Sequence, residues 1–71
     1  MKNRRMIITI ELENDEYKAV CATAVEYRLR DIIDRLQENG PDTPERLREV
    51  MHGRKLYDFS GNLTGSIVVT D

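Results

Sequence analysis

With 71 residues, 34% of them charged, and a net charge of −2, the chain has the composition of one small soluble domain. That balance argues against a basic nucleic-acid-coating protein and is too small for an acidic DNA mimic. Cys21 and His52 are the only cysteine and the only histidine, which excludes an internal disulfide and a closed Cys/His zinc site.

No apolar run approaches the roughly 20 residues of a membrane span. The basic start MKNRR leads into MIITI and ELEND without a small-residue cleavage site, so a cytoplasmic setting is expected. A chain this short buries only about 60% of its unfolded surface. Lacking a disulfide or metal, it is expected to add a second subunit, as a homodimer.

Residues 1–4 read as a flexible basic N-terminus. From Arg5 to Glu13 the sequence alternates, with Met6, Ile8, Ile10 and Leu12 on one side, as a half-buried strand does. Asn14 is placed to cap a helix over Asp15–Glu38, with Asp15 and Glu16 at the positive end of its dipole. Ala22, Val25, Leu29, Ile32 and Leu36 form the stripe expected to face the sheet, flanked by Cys21 and Ile33. Glu16, Thr23, Arg30, Asp34 and Gln37 fall on the far side. The stretch Tyr17–Val25 is the one segment that also reads as a strand.

Gly40 and Pro41 stop this helix. Thr43 then caps a second one, with Pro44 at its first position, Leu47, Val50 and Met51 on its apolar face, and Gly53 after its end. His52 lies in its last turn, where a positive charge would suit the dipole.

The stretch YDFSGNLTGSIVV reads as a β-hairpin. Asp58 to Gly61 suit a type I turn with a three-residue loop. Leu63, Gly65, Ile67 and Val69 would share a face, and Gly65 suggests a bulge or a close backbone approach. If Val69 lies on an edge strand, its free backbone groups are open to a second chain. The expected fold is one α+β domain over 1–71, in the order β-α-α-β-β, with two helices packed on one face of a small three-stranded antiparallel sheet.

Phosphate-binding glycine loops are absent. Neither Ser60 nor Cys21 has spacing that completes a triad with His52, and Cys21 reads as a small buried hydrophobe. Asp31 and Asp34 lie among arginines on a solvated face. The expectation is a non-enzyme without metal or cofactor.

Tyr17, Val20, Ala24 and Tyr27 form a second apolar stripe on the first helix. It suits packing under the second helix or a protein interface, for which Tyr57 and Phe59 of the hairpin are further candidates. The expected role is a non-catalytic regulator, adaptor or inhibitor, of the kind found among bacterial and phage accessory proteins that target host systems. The alternative rests on DIIDRLQENGPDTPERLREVM followed by a hairpin, which resembles a winged helix-turn-helix unit. That resemblance implies DNA binding, with Arg46 and Arg48 on the recognition helix and Lys2, Arg4, Arg5, Arg54 and Lys55 on phosphates. A dimer that sequesters a small molecule in its cleft is a third option.

Overall fold

A computed structural model describes residues 3–70. The elements run β1 (Met6–Ile10), α1 (Asp15–Asn39), α2 (Pro44–Met51), β2 (Lys55–Tyr57) and β3 (Leu63–Val69), an α+β fold with an antiparallel three-stranded sheet. Within the expected N-terminal tail, Met1 and Lys2 lie outside the described residues. Arg4 is described, and pairs with Glu45 at 2.7 Å.

The sheet order is β1-β3-β2. Val69 therefore sits in the central strand and not on an edge; the edges are β1 and β2. Met6 stands opposite Val69, Ile8 opposite Ile67 and Ile10 opposite Gly65. Leu56, Ile67 and Val69 form one buried cluster with Ile32 of α1 and Met51 of α2, and Met6, Ile10, Leu36, Leu47 and Val50 pack against it. The alternate residues Ile7, Thr9 and Val68 are exposed, as the period of two requires.

Both signals carried by Gly65 are realised. The β2–β3 register shifts between Leu56, opposite Gly65, and Tyr57, opposite Leu63, which leaves Thr64 as the extra residue of a bulge. The bulge turns Thr64 inward and Leu63 outward, so Leu63 does not share the face of Ile67 and Val69 as expected. A Cβ on Gly65 would lie 1.9 Å from the Thr9 carbonyl oxygen, so β1 passes too close for any side chain there.

α1 covers the ambiguous Tyr17–Val25 stretch as helix, and Gly40 ends it in the left-handed region (φ 51°), its N–H donating to the Leu36 carbonyl. Val20 alone departs from helical geometry, at φ −139° and ψ 61°, and kinks the helix. The phase of the buried row also differs from the expectation. Tyr17, Ala24, Arg28 and Ile32 face inward, while Ala22, Leu29 and Cys21 are exposed and Val25 is half-buried. Apolar periodicity misplaced the row because a buried arginine is one of its members.

Two caps also differ. Asn14 stands at the N-cap of α1, yet its side chain bonds Asp58 instead of a helix N–H. The Thr43 hydroxyl of α2 does accept the Arg46 N–H. His52 is the C-cap of α2, and its Nδ1 accepts the Val69 N–H at 3.0 Å, extending the β3 ladder past β2. His52 thus acts as a sheet partner at the end of α2. Among the described residues, no helix is long and apolar enough to cross a membrane.

Gly65→Ala should cost about 1–3 kcal/mol or more, because β1 must move away from β3 to admit the methyl group. Urea unfolding checks this; a variant as stable as the parent would contradict the close approach.

Candidate functional site

The hairpin tip is built by Asp58. Its N–H donates to the Asn62 carbonyl at 3.0 Å, and its own carbonyl accepts the Gly61 N–H at 3.1 Å. Gly61 has φ 83°, so the turn requires a residue tolerant of the left-handed region. Asp58 Oδ1 accepts the Ser60 and Asn62 N–H groups at 2.9 and 2.8 Å, and Oδ2 accepts Asn14 Nδ2 at 2.9 Å. The Asn14 amide, followed by the Asn62 N–H, holds the carboxyl below its usual range. Loop and helix start are thereby joined through one carboxylate.

Arg28 lies beneath the tip and is 2% exposed. Its Nη1 donates to the Tyr57 carbonyl. Its Nη2 lies 3.8 Å from Glu16 Oε2, while Glu16 Oε1 accepts the Phe59 N–H at 3.3 Å. The guanidinium carbon sits 5.1 Å from the centroid of the Phe59 ring, a cation–π arrangement. Tyr27 meets Phe59 edge to face, with centroids 5.0 Å apart. Deeper in, the Tyr17 hydroxyl donates to Thr64 Oγ1 at 3.1 Å, and Thr64 donates to the Leu56 carbonyl at 3.3 Å.

The kink explains how Glu16 reaches Arg28. In a straight α-helix, residues twelve apart are separated by about 18 Å along the axis. Contact requires the first turns to bend back, and the break at Val20 lies between the two residues. Glu16, expected on the far side of the helix, is consequently half-buried under the hairpin.

The tip gathers three of the interface candidates: Tyr27, Tyr57 and Phe59 are all exposed around Arg28, Phe59 by 71%. Val20 is exposed as well, at the kink. Tyr17 and Ala24 are buried within the protein and offer no surface. Arg28 and Glu16 are site residues that the sequence pattern does not announce. Their only signal is that Arg28 continues the helical row of Tyr17 and Ala24, which an exposed arginine would do equally well.

The candidate DNA contacts are dispersed among other partners. Arg4 pairs with Glu45 and Arg46 with Glu49, while Arg48 and Arg54 donate to the Val69 and Val50 carbonyls. Arg5 pairs through its backbone with Thr70, and Lys55 is exposed on β2. Among the described residues, no group of three or more His, Cys, Asp or Glu side chains is placed to hold a metal ion. Compared with family models, with curated proteins and with solved structures, the chain has no significant match.

Two outcomes test this geometry. Arg28→Met should destabilise the fold by about 3 kcal/mol, since it leaves the Glu16 carboxylate buried without its cation. Adding Glu16→Gln should recover part of that loss, and strict additivity would contradict the pairing. For Asp58, a depressed folded pKa means a stabilising contribution that is present above about pH 4 and lost as pH falls through the folded value. The stability gap between parent and Asp58→Asn, measured by urea unfolding, should be widest at neutral pH and narrow under acid.

Proposed function

We propose that the protein is a small non-catalytic binding module, a regulator, adaptor or inhibitor that works as a homodimer and engages a protein partner through Tyr27, Tyr57 and Phe59. One observation carries the reading: the most exposed aromatic ring, Phe59, is held in place from below by Arg28 and from the side by Tyr27. A side chain serving only the core would be turned inward. An aromatic ring fixed in solvent loses little conformational freedom on binding, which is what an anchor residue needs.

The surroundings suggest the partner's chemistry. Glu13, Asp15, Glu16 and Asp58 line a shallow depression beside the tip, together with Ser60 and Asn62. An apolar anchor beside an acidic rim suits a partner with an apolar socket and basic groups at its border. The β1-α1-α2-β2-β3 order leaves the winged helix-turn-helix alternative as an outcome of the test.

Immobilised parent protein, Phe59→Asp, Tyr27→Asp and the pair Arg46→Ala with Arg48→Ala should be compared for capture from the source cells. The expected result is one partner retained by the parent and by the arginine variant. Phe59→Asp should weaken its binding by about 30-fold or more, with circular dichroism unchanged. Retention by Phe59→Asp would overturn the reading. So would low-salt binding to a short DNA duplex that the arginine variant loses.

A further inference from the structure

The molecule is more exposed than its mass warrants. Its accessible surface is 5221 Å², against about 4,600 Å² for a folded monomer of 8.3 kDa. Its radius of gyration is 13.2 Å, against about 11 Å for a compact chain of this length.

Two features of that surface lie on one side of the fold. The first is a row on α1 formed by Ala22, Val25, Leu29 and Ile33, which line a shallow, mainly apolar depression bordered by Glu26, Arg30 and Asp34. The opposite flank of α1 is occupied, since Tyr27 and Arg28 reach the hairpin and Asp31 and Arg35 share a cleft with Lys55 and Tyr57. The apolar row therefore faces away from β2, toward the side on which β1 is the edge.

The second feature is that edge. The Arg5 carbonyl accepts from Thr70 and the Glu11 N–H donates to Thr64, so in the antiparallel alternation the odd residues of β1 bond β3. Met6, Ile8 and Ile10 direct their N–H and C=O groups outward. The strand MIITI carries no charge, proline or bulge, which are the usual protections of an edge. On the helix side of the sheet, Ile8 is 38% exposed, although the residue opposite it, Ile67, is buried.

We propose that a second copy of this chain completes that side. β1 pairs antiparallel with β1 of the partner about a two-fold axis at Ile8, placing Met6 against the partner's Ile10, and the two α1 rows close over the joined strands. A five-residue edge is self-complementary about its middle residue, and the outward-directed residues Met6, Ile8 and Ile10 are those that meet in hydrogen-bonded pairs. One occupant thus satisfies the free backbone groups, the exposed Ile8 and the row on α1. The proposal rests on the homodimer reading given above and assigns its surface.

Light scattering at about 0.5 mM should give twice the protomer mass. Ile8→Pro removes only an outward N–H, and Leu29→Arg places a charge on an exposed site; each should raise the dimer dissociation constant at least about 30-fold. Both should keep the parent circular dichroism, and Leu29→Arg alone carries the test if Ile8→Pro disturbs the strand. In a mixed-labelled dimer, an inter-protomer contact between the α-protons of Ile7 and Thr9 should report the register. A dimer that survives Leu29→Arg, or lacks that contact, overturns the proposed surface and leaves the homodimer reading standing. A monomeric parent overturns both.

Discussion

Arg28 is the residue on which the upper half of the structure depends. A guanidinium removed from water must replace its hydration with protein partners, and Arg28 finds them on two segments distant in sequence. It takes the Tyr57 carbonyl from the hairpin and the Glu16 carboxylate from the start of its own helix. Its remaining face is covered by Phe59. Because Glu16 also accepts the Phe59 N–H, one ion pair joins the beginning of α1, its middle and the hairpin loop. The buried Arg28 Nε and Glu16 Oε2 have no hydrogen-bond partner, so the pair is held more by placement than by full polar satisfaction.

That constraint also separates what was legible in the sequence from what was not. The element order, the Gly40 and Thr43 helix signals, the Asp58–Gly61 turn and the double meaning of Gly65 were readable, because each is written in a few adjacent residues. Long-range geometry was not. The inward row of α1 includes an arginine, which apolar periodicity counts as solvent-facing, so the pattern points Ala22 and Leu29 at the core. The kink at Val20 has no proline or glycine to announce it, and without it Glu16 lies far from Arg28. Tyr27, Tyr57 and Phe59 were readable as candidates by type, while their meeting around one cation is a product of the fold.

The exposed row on α1 and the bare edge of β1 follow from the same packing. With Arg28 fastened to the hairpin, α1 leans on β2 and β3, and its apolar flank is left beyond the cover of this small sheet. A second protomer at β1 would place the two hairpin tips at opposite ends of a continuous sheet. The dimer would then be bivalent, presenting two aromatic anchors, and effective affinity for a repeated or dimeric target would rise without new contacts. The core of Ile32, Met51, Leu56, Ile67 and Val69 is small, as expected for a chain of this length.

The central claim is that the Arg28–Glu16 pair fixes Phe59 in solvent as a ready anchor. Backbone order parameters for Phe59, Ser60 and Gly61, from nitrogen-15 relaxation of the parent protein, test it most directly. Values of about 0.85, equal to those of β3, are the expected result. Values below about 0.6 would mean that the tip moves freely and that no anchor is held there.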